Sequence, residues 1–190
     1  DDRLDLKALN TAALYGIAAT NVLEGGDGTD ALVLDAAAAD STTGVSGAAT
    51  FATRINGFEK LGLTAVAAAT TVNLENLDAI NYVVSNGSGA FAYKLDKMLN
   101  NATVELKAAH TNGIEVALKD ATGTADVVNL IANADTGTNI GTVTVAGVET
   151  INITANDTDV SNTVAVSNNT LALKADTAAT VNVTGAGNLV

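Results

Sequence analysis

Short apolar runs with a period of two recur from residue 55 to the last residues of the chain. Each run is three to five residues long, and Asn, Asp, Gly, Thr and Ala separate one run from the next. Alternation of apolar and polar residues is typical of β-strands that bury one face. Many short strands at near-regular spacing favour a solenoid, a barrel or a sandwich, and this pattern constrains the fold more than any other feature.

An internal repeat favours stacked coils among these folds. Residues 55–65 align without a gap to residues 145–155, so that Glu59 corresponds to Glu149. A unit of this kind buries its apolar face only against a neighbouring unit. We therefore predict an all-β fold, a repetitive parallel β-solenoid with one or two short helices. Two β-sandwich repeats are the alternative, because the 90-residue offset between the copies is close to the roughly 100 residues of a sandwich domain.

The repeat divides the chain into three predicted segments. Residues 1–24 form a short helical lead-in, residues 25–122 a first β unit, and residues 123–190 a second, shorter β unit. Helical spacing of apolar residues predicts a helix within residues 1–19 and another at residues 93–100. Residues 36–50 are rich in Ala, Ser, Thr, Asp and Gly, which predicts a loop or a short helix.

Composition narrows the function. The net charge of -12 disfavours binding to nucleic acid and to anionic lipid, and it attracts cations. No apolar run approaches the roughly 20 residues that span a bilayer, so we predict no membrane insertion. The absence of cysteine excludes disulfides and thiolate metal sites, and it is typical of an exported bacterial protein. Because the first residue is Asp, we expect the chain to be a piece of a longer protein.

One glycine-rich turn has the residue types of a calcium site. Residues 25–33 read Gly-Gly-Asp-Gly-Thr-Asp-Ala-Leu-Val. Glycines such as Gly26 and Gly28 allow positive φ and can turn main-chain carbonyls inward. Asp27 and Asp30 supply the hard carboxylate oxygens that Ca²⁺ prefers. The alternative is an ordinary glycine-rich turn with solvated carboxylates.

These nine residues match the G-G-x-G-x-D-x-U-x calcium repeat of RTX proteins. Together with the phrases Gly-Phe-Glu-Lys-Leu and Gly-Val-Glu-Thr-Ile, they make the chain resemble secreted RTX and bacterial surface-layer proteins. The resemblance implies Ca²⁺ as the ion, with one nonapeptide supplying half a site. Glu24, Asp35 or a loop carbonyl is then expected to complete the shell. The corresponding turn at residues 123–126 lacks the double glycine and is the weaker candidate.

The remaining titratable residues predict no catalysis. His110 is the only histidine, and its polar surroundings predict a solvated loop residue without a metal or nucleophile partner. Glu59 and Glu149 occupy equivalent positions of the repeat. This equivalence predicts a structural role, such as bonding the main-chain N–H groups of a neighbouring turn.

These observations and the resemblance together predict a non-enzymatic structural segment of a secreted surface-layer protein, stabilised and assembled by calcium. The resemblance implies an extracellular, cell-surface location and self-association into a lattice or array. Cell-surface polysaccharide is a further partner that it allows. A repeat module of a large type I-secreted adhesin, or the calcium-binding appendage of a secreted enzyme, are the alternatives.

Overall fold

The computed structural model describes residues 1–10, 12–14, 22–43, 55–75, 77, 80–133, 138–156 and 168–190. In these ranges the chain forms sixteen strands, the helix α1 (Ala36–Thr43) and a helical segment at residues 12–14. The first sheet contains β1 (Arg3–Asp5), β3 (Ala31–Leu34), β5 (Lys60–Leu63), β7 (Tyr82–Ser85), β9 (Ala102–Leu106), β11 (Val127–Ala132), β13 (Thr150–Ala155) and β15 (Thr180–Thr184). The second sheet contains β6 (Thr70–Asn73), β8 (Tyr93–Met98), β10 (His110–Leu118), β12 (Asn139–Val145), β14 (Asn168–Lys174) and β16 (Asn188–Leu189). The strands β2 (Leu23–Glu24) and β4 (Ile55–Asn56) form a separate pair.

The chain is a parallel β-solenoid, as the sequence predicts. Neighbours in each sheet are successive strands of that sheet along the chain, and every pairing is parallel. From β5 onward the strands alternate between the two large sheets, so each coil contributes one strand to each. Coil length varies from 20 residues, between the paired Asn168 and Asn188, to 32 residues, between Leu23 and Ile55. The alternative of two β-sandwich repeats does not describe this fold.

The core lies between the two large sheets and is built from columns of stacked aliphatic side chains. One column of the first sheet comprises Leu32, Leu61, Val83, Val104, Leu130 and Ile153, all at most 3% exposed. It is matched in the second sheet by Val72, Leu95, Val116 and Val145, all at most 1% exposed. Small and branched side chains suit such a narrow interior, which explains the scarcity of aromatic residues.

Two predicted helices differ in the structure. Within the lead-in, Arg3–Asp5 is a strand that pairs with β3, and residues 12–14 are helical, while residues 11 and 15–21 lie outside the described part. Residues 93–98 form β8, so the helix predicted at residues 93–100 is wrong. Lys97 has a φ of 62° where the pairing with β10 shifts register. This irregularity separates the buried Leu95 and Met98 by three residues and imitates helical spacing.

Both sheets continue across the predicted boundary at residues 122 and 123. The strand β9 pairs with β11, and β10 pairs with β12, so coils on either side of this position are in direct contact. The boundary itself falls in the turn between β10 and β11.

Candidate metal site at the glycine-rich corner

The glycine-rich turn joins β2 to β3 and forms a corner of the coil. We call residues 25–30 the glycine corner. Gly26 and Gly28 have φ values of 89° and 127°, in the left-handed region that favours glycine, as the sequence predicts. Asp27 and the neighbouring Glu24 are exposed, whereas Asp30 immediately precedes β3 and is completely buried.

Asp30 contacts the coils on both sides. Its Oδ1 accepts a hydrogen bond from the main-chain N–H of Asp2 in the preceding coil. Its carbonyl accepts hydrogen bonds from the main-chain N–H groups of Glu59 and Lys60 in the following coil. Its Oδ2, however, is buried without a hydrogen-bond partner. A buried carboxylate oxygen without a partner costs free energy, so this atom is where a bound cation or water would stabilise the corner.

Close packing explains one glycine of the motif. A Cβ atom on Gly25 would lie 2.0 Å from the carbonyl oxygen of Gly57 in the following coil. Gly57 itself has a φ of 69°. The main chains of two coils therefore meet at the glycine corner, and only residues without side chains allow this contact.

Asp35 lies at the opposite end of β3 from Asp30. Its Oδ1 accepts hydrogen bonds from the N–H groups of Ala37 and Ala38 at 3.0 and 3.1 Å, and its Oδ2 accepts one from Thr64 Oγ1 at 3.0 Å. It is thus the N-cap of α1. Five residues of extended chain span about 16 Å. The structure therefore brings Glu24, Gly26, Asp27, Gly28 and Asp30 to one corner and leaves Asp35 at another.

The predicted structural role of the two equivalent glutamates is confirmed. Glu59 Oε2 accepts a hydrogen bond from the main-chain N–H of Asp30 at 2.8 Å. Glu149 Oε2 accepts one from the main-chain N–H of Asp126 at 2.9 Å. Each glutamate thus binds the coil that precedes it and fixes the register of the stack at that corner.

The turn at residues 121–126, which we call the second corner, has the same hydrogen bonds around its buried aspartate, although Thr122 and Thr124 lack the positive φ of Gly26 and Gly28. Asp126 immediately precedes β11 and is 5% exposed. Its Oδ1 accepts a hydrogen bond from Asn100 Nδ2 of the preceding coil at 2.7 Å, and its Oδ2 is buried without a partner. Sequence inspection ranks this turn lower because it lacks the double glycine, although the Asp before a strand and the Glu one coil later are common to both corners.

Glu105 shows how a buried carboxylate is satisfied by protein groups alone. It is 7% exposed. Its Oε2 accepts a hydrogen bond from the Tyr82 hydroxyl at 2.8 Å, and its Oε1 accepts one from Asn133 Nδ2 at 2.6 Å. The ammonium of Lys60 lies 3.9 Å from Oε2. Of the three buried acids in the described ranges, Asp30 and Asp126 are the ones that keep an oxygen without a partner.

His110 is not a solvated loop residue, so that expectation is wrong. It begins β10, is completely buried, and stacks on Tyr93 with ring centres 6.0 Å apart and planes 4° apart. Its Nε2 lies 2.8 Å from Ser85 Oγ. Loss of hydration on burial lowers the pKa of His110 to about 4. Since Ser85 is also completely buried, this serine–histidine pair has no contact with solvent.

Within the described ranges, no three carboxylate, imidazole or thiolate side chains come together as a metal-binding group. An ion at either corner would therefore take most of its ligands from main-chain carbonyls and water, which Ca²⁺ accepts. No helix in the described part of the chain is long and apolar enough to cross a bilayer. The fold and the corners define the chain as a parallel β-solenoid whose coils are joined by acidic side chains. Compared with known proteins, it matches no family model and no curated sequence.

Proposed function

We propose that this chain is a structural, non-enzymatic segment of a secreted bacterial surface-layer protein, and that Ca²⁺ bound at the glycine corner stabilises the stacking of its coils. Support for the class of protein comes from the resemblance carried by residues 25–33 and by the repeated Gly-x-Glu phrase, together with the solenoid fold. A stack of repeated coils suits a scaffold protein, because each added coil lengthens the structure and continues the existing core.

The single observation that carries the calcium proposal is the unpartnered Oδ2 of Asp30. This oxygen is buried between two coils at the end of a turn whose glycines have positive φ. The exposed Asp27 and the main-chain carbonyls of the turn, including those of Gly26 and Gly28, are the nearest further oxygen ligands in the sequence. A divalent cation there would neutralise the buried charge and join the coils that contain Asp2, Asp30 and Glu59.

Calcium would then act as a folding switch. Where free Ca²⁺ is scarce, the buried Oδ2 of Asp30 keeps no partner, which weakens the corner. In millimolar Ca²⁺, which matches the affinity of extracellular modules, binding couples to folding. Assembly into an array would use exposed strand edges of the sheets.

Thermal unfolding with and without calcium tests the proposal. For a site filled at 10 to 100 times its Kd, the stabilisation is about 1.4 to 2.7 kcal/mol, and it raises Tm by roughly 3 to 10 °C for a chain of this size. Mg²⁺ at the same concentration should raise Tm less, because Mg²⁺ demands a stricter coordination geometry than Ca²⁺ does.

The variant Asp30→Asn separates calcium binding from general charge effects. We expect it to lose the calcium-dependent rise in Tm while remaining as stable as the unchanged chain in chelator, because it removes a buried charge. Asp176→Asn removes an exposed charge of the same type and should keep the full rise. An unchanged Tm of the original chain in millimolar calcium would overturn the proposal.

A further inference from the structure

We propose that the second corner, residues 121–126, is a second calcium site, with the Oδ2 of Asp126 as its side-chain ligand. The inference rests on the proposed function for the identity of the ion. Its location rests on the geometry around Asp126, which the sequence motif does not mark.

The first step is the equivalence of the two corners. Asp30 and Asp126 each donate their main-chain N–H to a glutamate one coil later. Each also accepts, through its carbonyl, the N–H of the first residue of the next strand in the first sheet, Lys60 and Thr150 respectively. In each, Oδ1 is bonded to the preceding coil and Oδ2 has no partner.

The glycines of the repeat confirm this alignment. Gly57 and Gly147 have φ values of 69° and 71°. A Cβ atom on Gly57 would contact Gly25 at 3.3 Å, and one on Gly147 would contact Ala121 at 3.0 Å. Gly25 and Ala121 therefore occupy corresponding positions, five residues before the buried aspartate, although the main-chain contact at Gly25 leaves no room for a side chain such as that of Ala121. The two turns have the same length, although their sequences share little.

The second step is charge. None of the ion pairs within the described ranges includes Asp126 or Glu149. Neither carboxylate at the second corner is thus bonded to a cationic side chain, and that of Asp126 is buried while Glu149 is half-buried. Glu105, by comparison, has partners for both oxygens and the ammonium of Lys60 nearby. Burial of uncompensated negative charge is costly, and a bound divalent cation would remove that cost.

The third step is the direction of the free oxygen. A methyl group on Gly123 would lie 3.0 Å from Oδ2 of Asp126 and 3.2 Å from Oδ1. The carboxylate therefore faces the underside of the turn, whose main-chain carbonyls and water would supply the remaining ligands. Gly123 stands where the glycine corner has Asp27. Because fewer charged ligands weaken a calcium site, the second corner should bind Ca²⁺ more weakly than the glycine corner.

Counting bound ions tests the inference. The chelator-treated full chain is titrated with CaCl₂, and the number of bound ions is measured by calorimetry and by equilibrium dialysis. We expect two ions for the unchanged chain and one each for Asp126→Asn and Asp30→Asn. Asp176→Asn should keep two.

A second variant guards against misfolding of Asp126→Asn. Gly123 does not have a positive φ in the left-handed region, so Gly123→Ala is free of backbone strain, keeps every charge, and places its methyl group against the carboxylate. We expect one bound ion for this variant, with the strand content of the original chain by circular dichroism.

The outcomes separate the two proposals. One ion in the unchanged chain, lost in Asp30→Asn and kept in Asp126→Asn, overturns the second site and leaves the proposed function standing. One ion lost in Asp126→Asn and kept in Asp30→Asn overturns the glycine corner and supports the second site. No bound calcium in the unchanged chain overturns both.

Discussion

His110 is the residue whose burial has the clearest consequence for stability. Its ring lies between Tyr93 and Ser85, neither of which is charged at neutral pH, and burial lowers its pKa to about 4. The unfolded chain therefore binds a proton near pH 6.5, whereas the folded chain does not until about pH 4. Stability is complete above pH 6.5, and it falls as the pH decreases through this window.

We expect the free energy of unfolding to fall by about 1.4 kcal/mol per pH unit below pH 6.5. Urea unfolding between pH 7.5 and 5.5 measures this slope before most carboxylates titrate. Since His110 is the only histidine, its proton resonances give its pKa directly by NMR. The double variant His110→Phe with Ser85→Ala keeps the stacking on Tyr93 and should flatten the slope. An imidazole pKa near 6.5 in the folded chain would contradict this account.

At the scale of single residues, the sequence predicts some environments and misses others. The role of Glu59 and Glu149 could be predicted, because two copies of one phrase place the same acid before the same kind of strand. The burial of His110 could not be predicted from its polar neighbours. The period-two alternation does not reveal it, because Asn112 in the same phase is exposed and the strand is irregular between His110 and Ile114. Its contacts with Tyr93 and Ser85 depend on coils that are distant in sequence.

At the scale of elements, the corner glutamates should stabilise the stacking of strands. Glu149→Ala removes the acceptor of the Asp126 N–H and leaves a donor of low exposure without a partner, which costs about 1 to 3 kcal/mol. Glu149→Gln keeps an acceptor oxygen and should cost less. The matched control is Glu115→Ala, because the side chain of Glu115 is 50% exposed and pairs with Lys94 on the surface, an interaction worth about 0 to 1 kcal/mol.

Urea unfolding of the three variants in chelator measures these differences without calcium. We expect Glu149→Ala to be the least stable, followed by Glu149→Gln and then Glu115→Ala. Equal stability of Glu149→Ala and Glu115→Ala would mean that the hydrogen bond to Asp126 contributes nothing to the stack.

The period-two pattern of apolar residues predicts where strands lie better than it predicts irregularities within a strand. Among the period-two runs of the sequence, the one at residues 127–131 lies in β11 and the one at residues 151–153 lies in β13. The run at residues 164–166 lies outside the described part. The error at β8 has a physical cause, because Lys97 adopts a positive φ and adds a residue to the strand. The spacing of apolar residues cannot distinguish such a bulge from a helical turn.

At the scale of the whole molecule, each coil is stabilised by its neighbours. Such a stack is nearly one-dimensional, so its stability is a sum over coils and the interfaces between them. The strand β15 lies at the edge of the first sheet, and all five of its residues are exposed. The strands β9 and β11 lie between neighbours on both sides. At the other end, α1 packs against β6, the edge strand of the second sheet.

We therefore expect amide hydrogen exchange to be fastest in β15 and β16 and slowest in β9 and β11, since opening the end coil breaks one interface and opening an inner coil breaks two. Mass spectrometry of exchanged peptides measures this gradient. A matched pair of variants tests its cause, because Val104 and Val183 belong to the same core column but are 0% and 57% exposed. Val104→Ala should lower the free energy of unfolding by about 2 kcal/mol, because it removes two buried carbon atoms. Val183→Ala should lower it by less than about 0.5 kcal/mol. Uniform exchange with equal losses in both variants would mean that the stack unfolds as a single unit rather than from its open end.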